Sequence, residues 1–143
     1  MYKIVRKEVL NPTITLLEVE APFVAKKAKP GQFIILRIDE KGERLPLTIG
    51  GFDREKGTVT IFQLVGLTTK ALARLNPGDY LLDFVGPLGM PTETEGIKRV
   101  CVIGGGLGTA IAYPVAKGFH DAGAETDVIV GFRNKDLVIL EDD

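Results

Sequence analysis

The sequence predicts a small antiparallel Greek-key barrel followed by the opening βαβ unit of a parallel sheet. Three observations carry this. Up to residue 96 the chain alternates short β-rich runs with glycine and proline turns, and only one short segment has helical spacing; that is the pattern of a closed antiparallel sheet. From residue 100 the order becomes strand, bare turn, helix, strand, which a parallel sheet requires. At the change stands Val100-Cys101-Val102-Ile103-Gly104-Gly105-Gly106-Leu107-Gly108-Thr109-Ala110, an apolar strand running into a turn almost without side chains.

Taken in order, Tyr2 to Val9 and Thr13 to Glu20 alternate on either side of Asn11-Pro12, a hairpin signal. Ala21 to Lys29 is a looser basic stretch, ended by Pro30-Gly31, and Gln32 to Ile38 is a strongly apolar strand. Glu40 to Glu43 is a polar turn. Arg44 to Ile49 reads as the next strand, and Pro46 within it cannot donate to a ladder, so the strand belongs at an edge or rim. Gly50-Gly51 is expected to close it. Thr58 to Val65 is β-rich, Gly66 to Leu75 has helical spacing with Thr68 or Thr69 placed to cap it, and Tyr80 to Val85 is a sixth strand. Gly86 to Gly89 and Thr92 to Gly96 read as a connection. Val100 to Ile103 is a short buried strand, Ala110 to Phe119 a helix and Thr126 to Gly131 its parallel partner. The domains divide as 1–96 and 97–143. Two strands and a helix cannot cover both faces of a parallel sheet, so the second domain is expected to be incomplete.

Totals narrow the function. Eighteen Lys and Arg against nineteen Asp and Glu give a net charge of −1, which offers no electrostatic case for nucleic acid or an anionic membrane. The single Cys101 excludes an internal disulfide and a multi-cysteine metal site, and within an apolar strand it is expected to be a buried, inert thiol. The single His120 stands beside Asp121 at a helix end and reads as solvated, so no metal site is assigned. The N-terminus lacks the apolar core of a signal peptide, and the uncharged run 100–116 is broken by glycines and Pro114. A cytoplasmic protein is expected.

A strand, a glycine turn and a helix N-terminus together make an anion site, because backbone approaches closely and unpaired N–H groups point outward. Gly104 and Gly106 follow the dinucleotide fingerprint, with Thr109 where a third small residue is usual. Tight strand-to-helix packing without a ligand is the alternative.

Lys29-Pro30-Gly31-Gln32-Phe33, Arg44-Leu45-Pro46-Leu47-Thr48-Ile49, Gly66-Leu67-Thr68-Thr69, Pro77-Gly78-Asp79, Gly86-Pro87-Leu88-Gly89 and the glycine turn stand in the order and spacing of one family. Through them the chain resembles the N-terminal half of the ferredoxin–NADP reductase family. The fit is to its iron–sulfur flavoprotein branch, which includes dihydroorotate dehydrogenase electron-transfer subunits, the small subunit of NADH-dependent ferredoxin:NADP oxidoreductase and sulfide dehydrogenase subunits. The resemblance implies an FAD-binding barrel followed by a Rossmann-like NAD(P)-binding domain. Arg44 matches the arginine on the flavin pyrophosphate, and Leu45, Pro46, Leu47 and Thr48 match the segment along the ring. The chain has Arg-x-Pro-x-Thr where relatives have Arg-x-Tyr-Ser or Arg-Pro-x-Ser, and no aromatic stands at the stacking position. Ile61, Phe62 and Gln63 match a strand read through its backbone, and Gly66, Thr68 and Thr69 match a pyrophosphate-binding helix start. Gly104, Gly105, Gly106, Leu107, Gly108 and Thr109 match the nicotinamide-nucleotide turn, and Arg133 matches the contact to the adenosine ribose.

The implied function is electron transfer between NAD(P)H and an iron–sulfur partner through FAD, with a larger oxidoreductase subunit as partner and no catalytic side chain from this chain. The four cysteines of a two-iron cluster are not here and are expected beyond residue 143. Half of the nucleotide domain is missing too, so nothing would hold the nicotinamide near the flavin and the chain alone is expected to be inactive. Read without the resemblance, Arg44 pairs with Glu43 or Asp53, the threonines cap a helix and Arg133 is a solvated loop charge. The competing function is a non-catalytic interaction module; a nucleotide sensor without redox chemistry is a third.

Overall fold

A computed structural model of the chain describes residues 1–64, 66 and 69–142. The hairpin comes first, as β1 (Tyr2–Asn11) and β2 (Ile14–Glu20), followed by a short helix α1 (Pro22–Lys27), β3 (Phe33–Arg37), β4 (Leu45–Asp53) and β5 (Thr58–Leu64). Then come α2 (Lys70–Arg74), β6 (Tyr80–Leu81) and β7 (Asp83–Leu88). The order across the antiparallel sheet is β6-β1-β2-β5-β4-β3-β7. Its two ends, β6 and β7, are consecutive in the chain and separated only by Leu82, whose N–H donates to Arg37 O at 2.9 Å and Ile38 O at 3.1 Å. The sheet therefore curls into a nearly closed barrel.

Alternation sorts the side chains. Leu17 and Val19 of β2 point into the barrel with Ile4, Ile34, Leu36, Ile49, Val59, Ile61, Leu81 and Phe84, all buried. Ile14 and Leu16 point outward and are buried differently, against the α/β unit that follows the barrel. There β8 (Arg99–Gly105) and β9 (Glu125–Gly131) pair in parallel, and α3 (Gly108–Asp121) crosses between them. Phe62, Ala110 and Ile139 complete the cluster that joins barrel to sheet. Asn11 adds a polar tie: its Oδ1 accepts from Thr13 N at 2.9 Å and Ile14 N at 2.8 Å, and its Nδ2 donates to Leu137 O at 3.2 Å.

Four expectations need correction. The basic stretch after residue 20 holds α1, which starts at Pro22 and buries Val24 and Ala25; six residues are too few to show a period. β4 does not stop at Gly50-Gly51 but runs through them to Asp53, because a side chain at Gly50 would meet the Phe62 ring at 2.2 Å. The sixth strand breaks at Leu82, and its second piece runs on through Gly86-Pro87 to Leu88. β8 is not buried, and Cys101 is exposed. The alternate residues of the β8–β9 pair, Cys101 and Ile103 beside Asp127 and Ile129, lie on the sheet face away from α3, and Ile103 and Ile129 are 73% and 56% exposed. Among the described residues no helix is long and apolar enough to cross a membrane.

Asn11 is nearly enclosed and satisfies four groups: Thr13 N, Thr13 Oγ1, Ile14 N and Leu137 O. Asn11→Ala is expected to lower stability by about 1–3 kcal/mol, the cost of leaving buried donors and acceptors unpaired, measured by denaturant unfolding.

Candidate functional site

Pro46 belongs to a strand that has neighbours on both sides, yet it is at an edge. β4 is paired with β3 from Leu45 to Thr48, and with β5 only from Ile49 onward. β5 stays paired with β2 as far as Leu64. Past the Ile49–Ile61 pair the two strands part, and the facing edges of 45–48 and 62–64 form no ladder with each other. A proline is tolerated there for the reason it is tolerated at any edge.

The parting makes a slot whose walls are backbone. Leu45 and Leu47 pack against the barrel core, while Pro46 and the half-buried Thr48 alternate to the outer surface. Ile61 fills the core and Phe62 fills the interface with α3, so these two offer the slot their main chain and not their side chains. Gln63 is fully buried; its Nε2 donates to Thr69 O at 2.5 Å, and its Oε1 has no partner among the described residues. Thr69 stands at the N-cap position of α2 but does not cap it. Its hydroxyl turns back, donating to Leu64 O and accepting from Gly66 N, both at 2.7 Å. Thr68 lies outside the described residues. Arg44, at the mouth, is exposed and forms no ion pair among the described residues; Asp53, its alternative partner, is engaged with Lys56.

The glycine turn is the second site. A Cβ on Gly104 would lie 2.8 Å from Thr109 Cα and 3.1 Å from its nitrogen, so this glycine serves strand-to-helix packing. Gly105, Gly106 and Gly108 have no atom within 4 Å of that position, and Gly106 has φ +54°. Gly106 N donates to Gly131 O at 2.9 Å and Thr109 N to Gly106 O at 3.1 Å, which fixes the turn. Thr109 Oγ1 is buried without a partner among the described residues. The turn thus combines open backbone, an orphan hydroxyl and the N-terminus of a fourteen-residue helix, the composition of a phosphate site. Slot and turn lie on either side of the Phe62 cluster, to which Leu107 and Ala110 belong. Arg133 is exposed just past the tip of β9.

Two titratable groups depart clearly from ordinary values, both away from the slot. Backbone N–H donation from Lys56 holds the Asp53 carboxyl below its usual range. Hydrogen bonding to Asp121 raises the Lys117 ammonium. Lys117 and Asp121 lie with Phe52 and Arg54 along a separate cleft of about 900 Å³ between barrel and α3.

Sequence reasoning missed the tie between Gln63 and Thr69 and the role of Leu64, because both depend on where two strands part. That register leaves no composition signal except Pro46.

No family model matches the chain. It is 55% identical over 150 residues to an uncharacterized protein encoded in an adh 3′ region of Clostridium beijerinckii, covering 99% of this chain and 51% of that protein. It is 40% identical over 142 residues to a dihydroorotate dehydrogenase B (NAD(+)) electron transfer subunit homolog of Thermotoga maritima, covering 99% and 50%. A solved NADH-dependent reduced ferredoxin–NADP oxidoreductase superposes with a TM-score of 0.94 at 39% identity, covering 99% of this chain and 52% of that one. Phthalate dioxygenase reductase shares the fold, with a TM-score of 0.79 at 16% identity. The chain spans about half the length of the curated relatives it matches.

Gly104→Ala must push α3 off β8 and is expected to cost about 1–3 kcal/mol by overpacking. Gly105→Ala faces open space and should leave the unfolding midpoint close to that of the parent chain in the same denaturation experiment.

Proposed function

We propose that this chain, which has the sequence and fold of the ferredoxin–NADP reductase family over the half it spans, is the flavin-carrying part of an electron-transfer subunit. It would pass electrons between NAD(P)H and an iron–sulfur partner, with FAD in the slot and NAD(P)H at the glycine turn. The single observation that carries this is the parting of β4 and β5. It leaves two facing backbone edges, 45–48 and 62–64, with no ladder between them among the described residues, at the segments that match the family's flavin motifs. The name of the Thermotoga maritima relative, an electron transfer subunit homolog, supports the same reading.

The residues present fit the flavin. Arg44 is uncommitted among the described residues and suits a pyrophosphate, since a guanidinium can donate two parallel hydrogen bonds to it. Leu45, Pro46, Leu47 and Thr48 would line one side of the ring, with the Thr48 hydroxyl able to donate. Ile61, Phe62 and Gln63 would bind through backbone, and Gln63 Oε1, without a partner among the described residues, would be able to accept a hydrogen bond. Gly66, Thr68 and Thr69 would hold the phosphate end. When bound, the flavin supplies two-electron exchange with a nicotinamide and one-electron exchange with an iron–sulfur centre. The chain's contribution is to bind and orient: fixed backbone edges on one side, and the Phe62 cluster between slot and turn. Gly105, Gly106 and Gly108 would admit the dinucleotide phosphates, Gly104, Leu107 and Thr109 would set the turn, and Arg133 would meet the adenosine ribose. A two-iron cluster does not fit this chain, whose one cysteine cannot supply four thiolates.

The proposal includes a division into a barrel domain, residues 1–96, and the start of a nucleotide domain, residues 97–143. It also includes a larger oxidoreductase subunit as partner, which the word subunit in the name of the Thermotoga maritima relative supports, and a cytoplasmic location. A second reading, a non-catalytic interaction module, is favoured by one observation: the exposed Ile103 and Ile129 on the uncovered sheet face.

An absorbance scan after reconstitution with FAD separates the two. Bound flavin is expected, and its absence would leave the interaction module. Arg44→Ala should weaken flavin binding by about 1.5–3 kcal/mol, the worth of hydrogen bonds to a charged group, while leaving the circular dichroism spectrum unchanged. Equal affinity would return Arg44 to the solvent.

A further inference from the structure

Lys7 belongs to none of the motifs, and its surroundings are unusual for a lysine in an amphipathic strand. β1 carries a bulge between Ile4 and Arg6, where the register against β2 slips. Ile4 is buried and faces inward opposite Val19. Without the bulge, Arg6 and Glu8 would share that face; with it, Lys7 comes opposite the buried Leu17 and turns inward in their place. Bulges re-aim side chains in this way and are common next to functional sites.

The inward turn brings Lys7 Nζ to the end of α2. It donates to Ala73 O at 2.7 Å and to Leu75 O at 2.9 Å, with Asn76 Oδ1 at 3.5 Å. α2 has five residues, and the C-cap residue that follows it, Leu75, is extended, at φ −67° and ψ 149°. No left-handed glycine follows to satisfy the last carbonyls, as commonly happens at helix ends. A helix this short does not hold itself, and an ammonium at its C-terminus supplies both the missing donors and a favourable charge. At the other end, Thr69 O accepts from Ala73 N at 3.1 Å and also from Gln63 Nε2. Thr69 Oγ1 then bridges Leu64 and Gly66. One unbroken series of hydrogen bonds thus runs from Lys7 through α2 and Thr69 to Gln63 and Leu64, on the wall of the slot.

We propose that Lys7 is a positioning residue for the flavin site: by clamping the C-terminal carbonyls of α2 it fixes, through Thr69, the end of β5 against which the flavin would lie. This rests on the flavin reading above. Lys7 touches no part of the slot itself, and its effect on binding passes through the main chain of α2.

The test uses the full 143-residue chain and FAD, titrated by flavin fluorescence at a temperature where every variant is folded by circular dichroism. Lys7→Met keeps the apolar stem and removes the donors; its dissociation constant for FAD should rise about tenfold, as expected for loss of charge-assisted hydrogen bonds. Lys7→Arg, which can donate to the same carbonyls, should recover most of that. Val24→Ala, a cavity in α1 at the opposite end of β5, should lower stability and leave the dissociation constant unchanged. Without flavin, the amides of Ala73 and Leu75 should exchange faster with solvent in Lys7→Met. If α2 loosens while FAD affinity stays the same, or if Val24→Ala weakens binding equally, Lys7 is structural only and the proposal is overturned. Failure of the unmutated chain to bind FAD would overturn the flavin reading itself, and this inference with it.

Discussion

Backbone donors and acceptors must be paired, and this requirement governs the whole barrel. Six junctions in the order β6-β1-β2-β5-β4-β3-β7 meet it by ladder bonds, and Leu82 meets it where the two ends come together. One junction does so only in part. Beyond Ile49 and Ile61, β4 follows β3 and β5 follows β2, and the gap between them has main chain on both walls. A gap of this kind is a defect in a structural barrel and an asset in a binding one, because a ligand with its own donors and acceptors can supply the missing pairs. The surrounding features serve that gap. Pro46 occupies an edge that needs no donor, Phe62 turns away into the domain interface, and Gln63 and Thr69 brace the end of β5.

The parallel pair of β8 and β9 is held from the side of α3. A parallel sheet is stable when both faces are covered, and among the described residues α3 covers one. Gly104 lets that helix approach to contact distance, and the remaining glycines of the turn leave their backbone open. The other face carries Ile103 and Ile129 to solvent. Slot and turn nevertheless hold a fixed relation, because Leu107 and Ala110 pack with Phe62, Ile14 and Leu16 in one cluster, and Asn11 ties the hairpin to Leu137.

Much of this was legible in the residues. Alternation announced the hairpin, and the inability of proline to donate announced that part of β4 would be an edge. The glycine turn announced a strand feeding a helix. What stayed hidden depends on pairing between distant segments. Apolar character in β8 read as burial, but burial requires neighbours on both faces, and so Cys101 is exposed. Gly50-Gly51 read as a stop, whereas the glycine makes room for the Phe62 ring. α1 is held by the packing of Val24 and Ala25, not by a period that six residues could display. A bulge at Val5 has no signature in composition, and with it the inward turn of Lys7 was invisible. Thr69 read as a helix cap, and only its contacts with Leu64 and Gly66 show it facing the other way.

The central claim is that the parted edges of β4 and β5 receive the flavin. Amide hydrogen exchange, read residue by residue with and without FAD, addresses it most directly. Added protection concentrated at the amides of Leu45, Leu47, Thr48 and residues 62–64, with the rest of the barrel unchanged, is the predicted result. Protection confined to the cleft beside Phe52 and Arg54, or no change at those edges while FAD is bound, would contradict it.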